Sequence, residues 1–399
     1  MNAQPDLEFI RELKTAGGDT LKKCFQCATC SVACPLSADK KPFPRKEMIW
    51  ASWGLKDKLV TDPDVYLCHQ CGDCTEKCPR GAKPGETLGA IRAYAYQQLA
   101  WPKGLAKLTT SAKNLPILIG LPAVVILIMW IFSAFIGVSG LHIPSKADFA
   151  VHGYQHFFGS WDFYWYGKNI SFIVIITGGA ALIALISCVM GVMRMWKAMV
   201  ADAKINTAYR PSLLQFISLF LWPSIWETLQ HKRFKECGAN QDRVLGHLPL
   251  VLAFIGLFLA TCWSLIKNDI LGLVWPSLHG PLWFWDPIKL IANVSAIALL
   301  YGIWILWKNR RKMEAAGRAT NTFYDWFLIW EIVAVGITGL LAELLRWGGQ
   351  AGLGYLVYYL HLVSVTMLFL YMPYTKFAHI VYRTVAMCFE KYRTSSFVQ

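Results

Sequence analysis

A run of four cysteines closed by a proline occurs twice in this chain, and it constrains the N-terminal part more than any other feature. Each run has the spacing C-x2-C-x2-C-x3-C-P, and the second begins 44 residues after the first. In iron–sulfur proteins with this spacing, three thiolates of one run hold a [4Fe–4S] cluster and the fourth ligates the other cluster. The first predicted ligand set is Cys24, Cys27, Cys30 and Cys78. The second predicted set is Cys68, Cys71, Cys74 and Cys34.

Zinc and disulfides are the competing explanations for these eight cysteines. A zinc site needs only four ligands and has no use for a third C-x-x-C step. Disulfides are disfavoured because assembly of an iron–sulfur cluster needs reduced thiols and a reducing compartment. The runs therefore predict an electron carrier. The other four cysteines have no ligand spacing and are interpreted as small buried apolar residues: Cys188, Cys237, Cys262 and Cys388.

The composition indicates a membrane protein, because 55% of the 399 residues are apolar and only 16% are charged. A soluble protein has about a quarter charged residues. Apolar runs long enough to cross a ~30 Å hydrocarbon core predict six spans: 116–138, 170–193, 244–266, 288–307, 325–345 and 354–375. A further apolar stretch, 212–229, contains Pro223 and Glu227 and predicts an interfacial or re-entrant helix.

These patterns predict a mostly α-helical chain with two domains. A ferredoxin-like helical domain with two [4Fe–4S] clusters occupies residues 1–105. A six-span transmembrane helical bundle occupies residues 106–399.

The basic residues predict the orientation of this bundle. The chain has a net charge of +14, and many of the basic residues lie between the spans, so nucleic acid is not an expected partner. Connections 194–243 and 308–322 contain eight and five basic residues. The connections on the opposite side contain two, one and one: 139–169, 267–287 and 346–353. Because cytoplasmic loops are rich in Lys and Arg, both termini and the cluster domain are expected on the cytoplasmic side of the inner membrane. The polar N-terminus has no signal-peptide pattern.

Histidines at the ends of predicted spans are candidate ligands of haem b, which two histidines can hold inside a helical bundle. His361 and His379 are 18 residues apart, which is about five helical turns, so on one helix both would face the same way. His247 begins the third span at the depth of His379. We pair His247 with His379 as the ligands of an inner haem.

The outer haem is less well defined, because the third span offers no second histidine as a partner for His361. His156 and His152, spaced i, i+4 before the second span, are the favoured partners, and the alternative is that only one haem is present. The remaining outer-side histidines are His142 and His279. His231 lies in a basic loop and is interpreted as a solvated residue.

The two cysteine runs, CFQCATCSVACP and CHQCGDCTEKCP, resemble the ferredoxin module of heterodisulfide reductase C subunits. Fused to a six-span cytochrome b, this module resembles the membrane-bound C subunits of quinone-interacting membrane-bound oxidoreductase complexes. The membrane half is also similar to the b-type gamma subunit of respiratory nitrate reductase. In that protein, the last span carries two haem histidines at the spacing of His361 and His379. Its earlier span has two histidines ten residues apart, where this chain has His247 and then Leu257.

This resemblance implies an electron-transfer subunit that is not active alone. It implies a link from the menaquinone pool, through haem and the clusters, to soluble flavin and iron–sulfur subunits of the same complex. Through them, electrons would be exchanged with adenylylsulfate reductase in dissimilatory sulfur metabolism, a form of sulfate respiration.

A quinone site needs groups that accept protons, because oxidation of a quinol releases two of them. Glu343 and Lys289, in the outer half of the predicted bundle, are the candidate residues. The alternatives are that Glu343 pairs with Arg346 at i, i+3 and that Lys289 extends towards the membrane surface. Glu331 is another candidate carboxylate. Asn293 could add a hydrogen bond inside the bundle.

Two other functions compete with electron transfer between partners. A membrane reductase acting on its own substrate is disfavoured because the chain has no Cys-Cys pair and no strand–G-x-G-x-x-G–helix unit. A structural membrane anchor is disfavoured by the cost of polar residues in the bilayer. Basic residues between the cysteine runs either dock an acidic partner or are a solvated surface: Lys40, Lys41, Arg45, Lys46, Lys56 and Lys58.

Overall fold

The computed structural model of the chain describes residues 4–135, 145–154, 172–205, 210–232, 243–278, 282–320, 322–395 and 397. Helices dominate throughout these residues, and no strand occurs among them beyond one isolated bridge between Ala38 and Lys41. The mostly helical fold predicted from the sequence is confirmed.

Short helices surround the cysteines in the N-terminal part. The sequence repeat is also a repeat of backbone geometry, because the helices Thr29–Val32 and Asp73–Glu76 occupy equivalent places in the two runs. Each follows a residue with positive φ, Ala28 at +68° and Gly72 at +89°. The α-helices of this part are Leu7–Leu13, Thr29–Val32, Arg45–Ser52, Lys56–Thr61, Pro63–Leu67, Asp73–Glu76, Pro84–Leu99 and Lys103–Leu108.

Six helices of the C-terminal part are long and apolar enough to cross a membrane. They coincide with the six predicted spans, and we refer to them as the first to sixth spans: Leu115–Phe135, Phe172–Asp202, Arg243–Leu265, Pro287–Ala315, Phe323–Trp347 and Ala351–Tyr371. A shorter apolar helix, Leu213–Leu229, lies at the predicted interfacial stretch. Its position at a membrane surface stays a prediction, as does the domain boundary near residue 105.

The sixth span ends earlier than the histidine spacing suggested. The helix stops at Tyr371, two short turns follow, and a new helix begins at His379 and continues to Arg393. Pro373 lies in the first of these turns, where its missing N–H and fixed φ prevent the helix from continuing. The expectation that His361 and His379 share one continuous helix is therefore wrong.

The third and fourth spans approach each other backbone to backbone beside His247. A Cβ atom on Gly302 would lie 2.7 Å from the carbonyl oxygen of Gly246, and one on Gly246 would lie 3.0 Å from the carbonyl oxygen of Gly302. Small residues of this kind allow close packing of membrane helices. The glycine pair thus fixes the position of the turn that carries His247.

Candidate redox site

In the structure, thiols from the two cysteine runs lie near one another. The thiol of Cys30 is close enough to those of Cys24, Cys27 and Cys78 for an electrostatic influence from each. Burial, with these neighbouring thiols, raises the pKa of Cys30 to about 11. Burial raises the pKa of Cys34 to about 12, and the thiols of Cys68 and Cys71 contribute. Such buried thiols stay protonated at neutral pH when no metal is bound, so cluster binding at these cysteines would release protons.

Hydrogen bonds reach the first sulfur of each run. The side-chain amide of Gln26 lies 3.3 Å from Sγ of Cys24, and the backbone N–H of Gln70 lies 3.3 Å from Sγ of Cys68. Hydrogen bonds to cluster sulfurs are one of the means by which a protein sets the cluster potential. Cluster ligation by these eight cysteines stays a prediction.

The second cysteine run is held against the helices of the membrane part. Arg243, the first residue of the third span, donates to the backbone carbonyl of His69 over 2.8 Å. Lys376 donates to the side chain of Gln70 over 3.2 Å and to Asp325 over 2.5 Å. These contacts place the second cysteine run next to the histidine-bearing helices.

Further contacts hold the two parts together nearby. The buried carboxylate of Glu86 accepts hydrogen bonds from the backbone N–H and the hydroxyl of Thr320, over 3.0 and 2.6 Å. Within the N-terminal part, Arg92 donates to the backbone carbonyl of Cys68 over 3.3 Å. The second run is therefore positioned from both sides.

A cavity of about 1180 Å³ extends from this run to the predicted inner haem ligands. This volume is at the upper end for a site that holds a small molecule or cofactor. Its lining includes Cys68, His69, Arg243, His247, Lys376 and His379.

His247 and His379 face each other in this cavity. Their ring centres are 6.1 Å apart and the ring planes are inclined by 75°. Nδ1 of His379 donates to the carbonyl oxygen of Lys376 over 2.6 Å. Because a neutral imidazole carries one proton, this bond leaves the lone pair of His379 on Nε2. Burial lowers the pKa of His379 to about 3, so the ring is neutral at pH 7, as a metal ligand must be.

His231 also belongs to this site, and the sequence interpretation of it as a solvated residue is wrong. Its ring is buried, with an exposed fraction of 4%, and Nε2 lies 2.7 Å from Nδ1 of His247. The helix Leu213–Leu229 ends just before it. The sequence did contain a signal for this burial, because a histidine directly after an apolar helix lies at the end of an element that packs against other helices.

His361 lies apart from these three histidines on the sixth span. Its Nδ1 is 3.0 Å from the hydroxyl of Thr338, and Gly339 makes room for the ring, since a Cβ there would come within 3.0 Å of it. No second histidine ring contacts His361 within the part of the chain that the structure describes. His156 lies outside the described residues, and so does the side chain of His152. The outer haem and its ligands therefore stay a prediction.

The candidate quinone residues are brought together on the fourth and fifth spans. Nζ of Lys289 lies 2.6 Å from Oε2 of Glu343, and the side-chain amide of Asn293 donates to Oε1 of Glu343 over 3.1 Å. The partner of Glu343 is thus Lys289 and not Arg346 as in the alternative interpretation. A carboxylate held by an ammonium and an amide has the chemistry for proton exchange, and its role stays a prediction.

Some of the basic residues between the cysteine runs form ion pairs inside the N-terminal domain. Nζ of Lys46 lies 2.9 Å from carboxylate oxygens of both Asp62 and Asp64, and that of Lys56 lies 2.6 Å from Asp6. These two lysines therefore have partners inside the domain.

Comparison with known proteins identifies the N-terminal part. Residues 20–82 match the family model of the 4Fe-4S dicluster domain. The C subunit of the H(2):CoB-CoM heterodisulfide,ferredoxin reductase of Methanothermobacter marburgensis is 44% identical over 79 residues, which are 20% of this chain and 42% of that protein. A protein of Archaeoglobus profundus that is similar to heterodisulfide reductase C subunits is 37% identical over 94 residues, 23% of this chain and 48% of that protein. The C subunit of the ferredoxin:CoB-CoM heterodisulfide reductase of Methanosarcina mazei is 31% identical over 91 residues, 23% of this chain and 55% of that protein.

These matches lie in the N-terminal domain, which is a 4Fe–4S domain similar to that of heterodisulfide reductase C subunits. The chain spans about half the length of the relatives it matches. No solved structure matches the chain.

Proposed function

We propose that this protein is a membrane electron-transfer subunit that connects a quinone, through haem b held by His247 and His379, to two [4Fe–4S] clusters. The observation that carries the proposal is the single cavity that contains these two histidines and reaches the second cysteine run. Bound haem and clusters would supply one-electron carriers. The residues of this chain would hold them around one cavity.

The residues around the cavity fit a haem. An imidazole nitrogen lies ~2.0–2.1 Å from a metal that it ligates and the ring centre lies ~1 Å beyond, so two imidazoles that share one metal ion would have centres up to roughly 6 Å apart. His247 and His379 already have this separation, at 6.1 Å. Arg243, Lys376 and Arg383 line the same cavity, and cations suit the two carboxylates that a haem carries.

At the other end of the bundle, the ion pair of Lys289 and Glu343 supports a menaquinone site. Glu343 would accept a proton from the quinol, and Asn293 would hold the carboxylate in place. A second haem held by His361, with His156 or His152 as partner, would stand between this site and the inner haem.

Exposed side chains on the cluster domain support the proposal of a soluble partner protein. Cys27, in the first ligand set, is exposed, and so are the neighbouring apolar side chains of Phe25 and Val32. We assign the partners as soluble flavin and iron–sulfur subunits of the same complex, with adenylylsulfate reductase as the acceptor beyond them. This assignment rests on the family resemblance of the sequence. The cluster domain and both termini would lie on the cytoplasmic side of the cytoplasmic membrane, because the basic connections lie at that end.

The test is a cofactor analysis followed by reduction with a soluble menaquinol analogue. The purified full-length protein is expected to contain one or two haems b per chain, by pyridine haemochrome, and about eight non-haem irons. The quinol analogue is expected first to produce the absorbance bands of reduced haem b and then to bleach the iron–sulfur absorbance. Absence of haem would contradict the proposal and leave a cluster-bearing membrane anchor. Haem that dithionite reduces but quinol does not would indicate a different electron donor.

A further inference from the structure

Three groups form a continuous line of hydrogen bonds behind the proposed ligand His247. The carbonyl oxygen of Leu229 lies 2.9 Å from Nδ1 of His231, and Nε2 of His231 lies 2.7 Å from Nδ1 of His247. His231 is buried at the end of the apolar helix Leu213–Leu229.

The chemistry of these groups determines where each proton lies. A carbonyl oxygen can only accept, so Nδ1 of His231 carries the N–H. Nε2 of a neutral His231 is then an acceptor, and Nδ1 of His247 must be the donor. It follows that the lone pair of His247 is on Nε2. This is the tautomer found at His379 from its bond to the carbonyl of Lys376, so Nε2 is the basic nitrogen of both histidines.

The backbone of His231 is an independent observation that points the same way. Its φ is +53°, which is a left-handed conformation. A residue with a side chain adopts this conformation at a cost in free energy, and glycine is the usual residue there after a helix. The residue in this conformation is a histidine, and its imidazole makes hydrogen bonds at both ring nitrogens. Strain of this kind is kept where the side chain has a task.

The helix Leu213–Leu229, which precedes His231, is itself anchored to the helix that begins at His379. Lys391 donates to the carboxylate of Glu227 over 2.6 Å, and the hydroxyl of Thr228 lies 3.6 Å from the sulfur of Met387. The apolar helix is therefore attached to one haem-ligand helix while its end contacts the other ligand.

We infer that His231 is a positioning residue for the haem ligand His247, fixing its tautomer and the orientation of its ring. The inference rests on the proposed haem site. A hydrogen-bond acceptor at the non-ligating nitrogen of a ligating imidazole raises the basicity of the ligand. It therefore favours ferric iron over ferrous iron. Loss of His231 is expected to weaken ferric binding about tenfold more than ferrous binding, which raises the haem midpoint potential by ~59 mV for a one-electron couple.

The experiment compares His231→Gly, His231→Gln and Lys204→Gly in the full-length membrane protein. Glycine suits the left-handed backbone of residue 231, so its effect reports the lost imidazole and not a new strain. Glutamine keeps an acceptor for the N–H of His247. Lys204 is an exposed residue with φ of +51°, so its replacement by glycine is a control for the backbone change alone.

The expected result is that H231G keeps haem and shows the raised midpoint potential and an altered ferric electron paramagnetic resonance signal. H231Q, or imidazole added to H231G, is expected to restore both, and K204G is expected to match the unsubstituted protein. An unchanged potential and signal in H231G would overturn the inference. So would haem loss in H231G that neither imidazole nor glutamine restores, since that would make His231 a structural residue or a ligand. Absence of haem from the unsubstituted protein would be a failure of the proposed function itself.

Discussion

Nη2 of Arg383 lies 2.7 Å from Nε2 of His69. This contact joins the C-terminal helix to the second cysteine run, and Arg383 is one helical turn after His379, so both face the same side of that helix. A single turn thus carries a proposed haem ligand and the residue that holds the cluster domain in place. One helix would therefore set the distance between the proposed haem and the second predicted cluster.

Replacement of Arg383 by methionine is expected to slow electron exchange between haem and clusters, measured per haem that the variant retains. The buried His69 ring would lose a charged donor, at a cost of about 1–3 kcal/mol, which loosens the second run from the helix. Stopped-flow absorbance after addition of a quinol analogue measures the delay between haem and cluster reduction. Arg393→Met, near the end of the same helix, is the control. Equal delays in the two variants would contradict this role of Arg383.

Glu47 is expected to make the stability of the cluster domain depend on pH. Its side chain is fully buried beside Asp62 and Asp64, with Nζ of Lys46 at 3.1 Å. Burial and the neighbouring Asp62 raise the pKa of Glu47 from 4.5 to about 9. The folded state therefore holds a proton that the unfolded state releases, so this contribution to stability is complete below about pH 4.5 and is lost as the pH rises through 9.

Between these two pH values, the free energy of unfolding falls by at most ~1.4 kcal/mol per pH unit as the pH rises. The midpoint of urea-induced loss of the iron–sulfur absorbance, measured at several pH values, would show it. Glu47→Gln, which mimics the protonated acid, is expected to flatten the dependence. Glu8→Gln, an exposed change, is expected to keep the dependence of the parent protein. A slope that survives in Glu47→Gln would assign the effect to another group.

Glu343→Gln tests the predicted quinone site. The amide keeps the size of the side chain and can still bond to Asn293, but it cannot accept a proton from a quinol. Proton acceptors of this kind contribute roughly 10²–10⁴-fold, so haem reduction by a quinol analogue is expected to slow by about 10²-fold. Reduction by dithionite is expected to be unchanged.

The matched control for Glu343 is Asp286→Asn. Asp286 lies three residues before Lys289, but its carboxylate caps the fourth span by accepting from the N–H of Ile288 over 2.9 Å. Asparagine keeps that cap, so quinol reduction should be normal in this variant. A normal rate in Glu343→Gln would remove Glu343 from the proposed site.

The sequence predicted those features that depend on local pattern. The cysteine spacing and the apolar runs are short-range signals, and both the dicluster domain and the six spans follow from them. The break after Tyr371 could also have been expected, because Pro373 lies within the assumed continuous helix. His379 nevertheless lies opposite His247, since the two short turns return the chain to the same cavity.

The parts that the sequence could not supply depend on tertiary contacts. His231 is separated from His247 by 16 residues, and only the packing of the helix Leu213–Leu229 against the C-terminal helix brings the rings together. The pairing of Lys289 with Glu343 likewise required the register between two spans. In both cases the residue types were visible, but their partners were determined by helix packing that no single segment specifies.

The proposed electron path depends on haem held by His247 and His379 next to the second cluster. The decisive measurement is the pyridine haemochrome content of the unsubstituted protein, His379→Ala and His361→Ala, each normalised to non-haem iron. We predict that His379→Ala loses one haem per chain while its iron–sulfur content is retained. We also predict that His361→Ala keeps the haem held by His247 and His379. Full haem content in His379→Ala would contradict this ligand assignment and the electron path built on it.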